Sequence, residues 1–221
     1  MEFEFSIRAT LRSVWPIFTK NIWYFGALSL VMVVINLLSK THASPVWTLV
    51  VFVASIIWTY VTISSVLAAI DGKEQMLRFD SLKLHLPTFR QFIKLFGLTL
   101  ASFVMVVAGF IMLILPGIYF MIRLLFSNFA FVDRQGSIIQ SMRFSWRLVK
   151  GEIFWTVFLA FMVTVTLILL GLFLFGIGIL VTYPIAMLFL AKLYRELVSH
   201  QPKAQVVEQP KEISPVTPSA M

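Results

Sequence analysis

Between Glu152 and Lys192 the chain carries no charged side chain. A run of that length cannot form the surface of a water-soluble domain. It is also too long for one membrane span, which needs roughly 20 apolar residues. Gly171, Gly176 and Gly178 sit near its middle and divide it into two helices joined by a turn. Four more charge-poor stretches precede it. The expected spans are 22–38, 46–70, 95–115, 117–133, 153–171 and 177–195, the fourth interrupted by Arg123. The expected fold is all-α, a polytopic membrane helix bundle of about six transmembrane helices over residues 1–197. Beyond it, over 198–221, Pro202, Pro210, Pro215 and Pro218 alternate with polar residues, the composition of a disordered tail.

Composition supports a membrane class. Charged residues make up 13% of the chain, against about 25% in soluble domains. The net charge of +8 would suggest nucleic acid in a soluble protein. Here the cations flank apolar spans, so they read as orientation signal and anionic head-group contact, with no nucleic-acid partner. Every Lys and Arg except Lys40 and Arg123 falls on the side of the termini and of the loops 71–94 and 133–152. The positive-inside rule then places both termini in the cytoplasm. The first apolar run outlasts a signal-peptide core, and Thr41-His42-Ala43 matches a cleavage site poorly, so the first span reads as an uncleaved signal anchor.

Each pair of spans follows a short amphipathic segment. Ile7, Leu11, Val14 and Phe18 share a helical face, with Arg8 and Arg12 off it. Phe89, Phe92 and Phe96 oppose Lys83, Arg90 and Lys94. Ile139, Met142, Trp146 and Val149 oppose Gln140, Arg143, Arg147 and Lys150. Such helices lie in the membrane interface, rings toward the acyl chains and cations toward head groups. The segments Ser13–Ile22, Pro87–Phe96 and Ser145–Phe154 read either as three weak repeats or as ordinary basic, aromatic entries to a span.

The catalytic inventory is short. There is no Cys, which removes disulfides and thiolate chemistry. His42, His85 and His200 are scattered, so no metal site is expected. No acidic residue lies inside a span, where an ion-coupled transporter usually keeps a carboxylate. Walker A, HExxH and Gly-x-Ser-x-Gly patterns are missing. Neither a cofactor nor a catalytic site is expected.

The polar residues within spans carry the remaining signal. Arg123 has two readings. It is an anionic site for a lipid phosphate, or it snorkels to the outer interface or caps carbonyls freed by Pro116. With Arg143, Arg147 and Lys150 it forms the candidate anion or lipid contact. Asn36 and Asn128 suit bonds to neighbouring helices, and Ser64-x-x-x-Ala68 and Gly97-x-x-x-Ala101 suit close packing. Pro184 is expected to kink the last span.

The stretch Leu115–Trp155 reads LPGIYFMIRLLFSNFAFVDRQGSIIQSMRFSWRLVKGEIFW. It combines Pro116-Gly117, Arg123, an apolar run, Asp133 and Gly136, then Ser145-Trp146-x-Leu148-x-x-Gly151. This pattern resembles the membrane domain of glycerophosphoryl diester phosphodiesterases and the related YciC-like uncharacterised bacterial inner-membrane proteins. The opening, FSIRATLRSVWPIFTKNIWYFGALSL, is similar to the start of such domains. The resemblance implies a six-span domain in a bacterial plasma membrane. It does not imply phosphodiesterase activity, which in that family belongs to a separate soluble domain. The expected function is a non-enzymatic membrane domain that engages the lipid bilayer, its anionic head groups, or a membrane protein partner. The alternative is a transporter or channel for a small or lipidic substrate, with Arg123 as selectivity element.

Overall fold

The computed structural model of the chain describes residues 6–38, 44–73, 77, 85–173 and 178–200. The expected tail from residue 201 onward, the loop carrying Lys40 and His42, and the basic residues Arg78 and Lys83 lie outside the described residues. Within them the chain is helical, and no strand is present. The helices are α1 (Ile7–Lys20), α2 (Ile22–Leu38), α3 (Pro45–Ile70), α4 (Phe89–Met112), α5 (Ile114–Leu124), α6 (Ser127–Arg134), α7 (Ile138–Leu148), α8 (Ile153–Phe173) and α9 (Ile179–Ser199).

Local chemistry sets the boundaries. Ser44 caps α3 by accepting from the Trp47 N–H at 3.2 Å, and Pro45 follows in the first turn, where its missing N–H costs nothing. Thr88 opens α4, its N–H donating to Gln91 Oε1 at 2.8 Å. Ser137 opens α7 with a reciprocal capping box to Gln140, at 3.3 and 2.9 Å. Gln135, at φ 50°, turns the chain out of α6 in the left-handed region.

Among the described residues, four segments are long and apolar enough to cross a bilayer: α3, α4, the α5–α6 stretch Ile114–Arg134, and α8. The pair α1 and α2 meets at 93° and would make a fifth. The sharp corner separates a helix with Arg8 and Arg12 exposed from one that carries no charged residue. Expected span 177–195 falls in α9, whose last third carries Lys192, Arg195 and Glu196. The second amphipathic segment is not a helix of its own, because α4 runs unbroken from Phe89 into the apolar stretch.

The core closes around α9, which packs on α1, α2, α3 and α8. Leu188, Phe189, Ala191, Leu193 and Tyr194 are fully enclosed. Phe18 and Phe25, on either side of the α1–α2 corner, lie 6.5 Å apart. Trp58 Nε1 donates to the Leu28 carbonyl at 3.0 Å, and Tyr24 and Ser65 share a hydrogen bond of 2.8 Å, joining α2 to α3. The two small-residue positions differ in what they do: Ser64 makes a hydrogen bond, and Gly97 allows the close packing expected of it. Ser64 bonds to His85 Nδ1 at 2.7 Å, and Gly97 receives the side chain of Ile138 from α7. Asn36 bonds back to the Met32 carbonyl of its own helix at 2.8 Å. Pro184 lies inside α9, which continues through it as one helix.

At one end of the bundle, Arg195 of α9 bridges two carboxylates, Asp71 at the end of α3 (2.7 Å) and Asp133 of α6 (2.8 Å). Tyr194 donates to the same Asp133 at 3.0 Å. Arg195→Ala leaves those carboxylates facing each other, and we expect a loss of about 2 kcal/mol. Unfolding in detergent measures it. Adding Asp133→Asn to that variant should recover part of the loss, and a double variant no better than the single would sink this account.

Candidate functional site

The pattern that runs from Pro116 to Gly151 folds into one structural unit around Arg123. Its guanidinium lies in the last turn of α5 and is buried, with 9% of its surface exposed. Nη1 donates to the Trp146 carbonyl of α7 at 2.8 Å. That carbonyl is in the final turn of α7, where the backbone has no intrahelical donor left and the helix dipole favours a cation. The guanidinium carbon stands 4.9 Å from the Tyr119 ring and 5.1 Å from the Trp146 ring, so aromatic faces complete its shell. In return, Ser145 Oγ donates to the Arg123 carbonyl at 2.7 Å. Among the described residues no carboxylate pairs with Arg123, and its Nε has no partner.

The structure gives Arg123 a main-chain partner, but not the one expected. The side chain does not serve the carbonyls around Pro116, and its hydrogen bond is to the basic helix α7. It acts as a clamp between α5 and α7. Of the residues that complete the clamp, Ser145 and Trp146 belong to the quoted pattern, while Tyr119 carries no sequence signal of its own. The available signal was the Ser145-Trp146 step within the quoted pattern.

The apolar face of α7, expected toward acyl chains, is divided: Ile139 is exposed and Val149 is buried. Ser141, Ser145 and Leu148 are buried, while Ile139 is 62% exposed. Small hydroxyl side chains let α7 approach its neighbours closely, and the larger apolar residues flank that line. Arg143 and Arg147 project from the opposite side and are exposed, as is Lys150 just beyond the helix end. The four candidate residues therefore divide. Arg123 is enclosed on the packed side of α7, and Arg143, Arg147 and Lys150 look outward. Nearby, the Arg134 guanidinium covers the Phe144 ring at 3.7 Å, tying α6 to α7.

A second basic surface lies where α4 begins and α6 ends. A cavity of about 260 Å³ is lined by Thr88, Arg90, Gln91, Lys94, Phe131 and Gln135. Among the described residues its lining includes no carboxylate, and Phe131 is its aromatic member. Elsewhere, Arg8 and Arg12 of α1 are exposed cations beside an apolar helix.

No family model, curated protein or solved structure matches this chain. Among the described residues no cluster of His and acidic side chains could hold a metal ion. The geometry assembled here can hold anions by charge and hydrogen bonding, and it can present rings and aliphatic side chains to hydrocarbon.

Proposed function

We propose that this is a non-enzymatic membrane domain whose basic face holds anionic lipid head groups at the cytoplasmic surface of a bacterial plasma membrane. In this reading α2, α3, α4, α5–α6, α8 and α9 form six membrane-embedded segments, with both ends of the chain on the basic side. Helices α1 and α7 lie near the interface. The observation that carries the proposal is the clamp at Arg123. It fixes α7 to the embedded α5 so that Ser141, Ser145 and Leu148 face protein while Arg143 and Arg147 face out. A rigidly held row of cations beside hydrocarbon suits phosphate-bearing head groups, each cation contributing about 1 kcal/mol. The resemblance of Leu115–Trp155 to the phosphodiesterase membrane domains supports the same reading. The packing of Arg123 between rings favours it over a conduction path lined by that residue.

Native mass spectrometry from mild detergent tests the idea. The wild-type protein is expected to retain phosphatidylglycerol. The triple variant Arg143→Ala, Arg147→Ala, Lys150→Ala should lose most of it while keeping its thermal stability. Equal lipid retention by both proteins would remove α7 as the lipid contact.

A further inference from the structure

Helix α4 opens with charges of the wrong sign for a helix start. The positive end of the helix dipole lies there, so acidic side chains are favoured and cations are not. The first turn of α4 holds no acidic residue. Instead Arg90 is its second residue, and Lys94 follows about one turn later. Like charges four residues apart on a helix repel. Both line the same cavity of about 260 Å³, so they share one face. Among the described residues neither pairs with a carboxylate, and Asp133, two residues before Gln135, is committed to Arg195 and Tyr194. An anion in the cavity reverses each of these unfavourable terms.

The polar lining is rich in donors. The Thr88 N–H donates to Gln91 Oε1 at 2.8 Å, which occupies the amide oxygen and leaves Nε2 to donate. Arg90 and Lys94 carry donors only. The backbone N–H groups of a first helical turn have no acceptor within the helix. Gln135, at φ 50°, borders the cavity from the end of α6.

Size and charge narrow the ligand. Small-molecule sites run from about 300 to 1,000 Å³, so this cavity has the scale of one small head group. Two cations and a helix terminus worth about half a charge exceed two positive charges in sum. A phosphate monoester carries about −1.5 to −2 at neutral pH, whereas a phosphodiester carries a single charge. The adjoining side of α4 is apolar. Phe89 and Ile93, each one residue before a cation, are 77% and 53% exposed. The exposed row continues along the helix at Leu100, Phe103 and Val104. A soluble phosphate makes no use of that row, and acyl chains do.

We propose that the cavity between the start of α4 and the end of α6 is a seat for the phosphate monoester head of an anionic lipid. Arg90 and Lys94 hold the phosphate, and the acyl chains lie along the exposed row of α4. The seat is separate from the α7 cations and takes a different head group. It shares with that reading only the placement of α4 in a membrane.

Native mass spectrometry of the full-length protein in mild detergent tests the seat, with added dioleoyl phosphatidic acid or dioleoyl phosphatidylglycerol. Wild type is compared with the double variant Arg90→Gln, Lys94→Gln and with the triple variant at Arg143, Arg147 and Lys150. Phosphatidic acid binding should weaken about thirtyfold in the double variant, the worth of two cations near an anionic group. It should stay near the wild-type level in the triple variant, which tests the α7 contact, so the two readings can fail separately. Equal phosphatidic acid binding by wild type and double variant would overturn the seat. Equal loss of both lipids in the double variant would overturn the preference for a monoester. Inorganic phosphate is the soluble arm, and should raise the wild-type melting temperature less than phosphatidic acid at equal concentration. An equal rise, absent from the double variant, would overturn a lipid as the source. Without lipid, the double variant should melt no lower than wild type, because losing two cations from a helix start relieves repulsion. A lower melting temperature would overturn the proposal by showing that the pair is structural.

Discussion

Arg123→Ala should release α7 from the bundle and lower stability by about 3 kcal/mol. The estimate adds a charge-assisted hydrogen bond and two cation–ring contacts, all in a buried setting. The α7 carbonyl at Trp146 also loses its donor. The most direct readout is limited trypsin digestion in detergent. Arg143 and Arg147 are exposed on a helix that the clamp holds rigid, so cleavage after them should accelerate sharply in the variant. Arg123→Lys keeps the charge but not the planar stack or the fork of donors, and should fall between. Wild-type cleavage rates and an unchanged melting temperature in Arg123→Ala would show that α7 is held by its apolar contacts alone.

Gly178→Ala is expected to be the most damaging substitution of a single hydrogen by a methyl group. An added Cβ would stand 2.6 Å from the Gly171 carbonyl oxygen and 2.8 Å from its Cα. Both are backbone atoms, so no side chain can swing aside. Overpacking costs about 1–3 kcal/mol in general, and backbone against backbone belongs at the upper end, about 3 kcal/mol. Gly26→Ala is the control. Nothing lies within 4 Å of its Cβ position, and the change should stay within about 1 kcal/mol of wild type. Thermal unfolding of both variants side by side decides it. Similar melting temperatures would mean that the α8–α9 hairpin can open without loss.

The helical class was legible because charge is expensive in hydrocarbon, and a chain that must avoid it shows the avoidance openly. The run from Glu152 to Lys192 needs no structure to be read. The α1 face of Val14 and Phe18 was equally plain, since both its rows of residues obey one helical period. The helix starts at Thr88 and Ser137, each with a Gln three residues on, were not among the features read from the sequence.

What the sequence hid was pairing. Nothing local tells Arg195 that its carboxylates stand at Asp71 and Asp133. Nor does hydrophobic periodicity tell which side of α7 meets protein: Ile139 stays exposed, and the serines make the contact. In a membrane, apolar surface gains little by turning inward, so size and hydrogen bonding choose the buried face. Arg123 was conspicuous from the start, but its partner is a main-chain carbonyl, and carbonyls are the same in every sequence.

The central position of α9 has a consequence for how the protein is made. Arg195 and Asp71 are 124 residues apart. While the ribosome is still producing the later helices, α2 and α3 can already pair through Tyr24–Ser65 and Trp58–Leu28, but the surface that α9 offers to α1, α2 and α3 is still missing, and Asp71 and Asp133 have yet to meet their cation. Completion of the core is therefore a late event, and any lesion that delays α9 should leave the earlier helices incompletely packed.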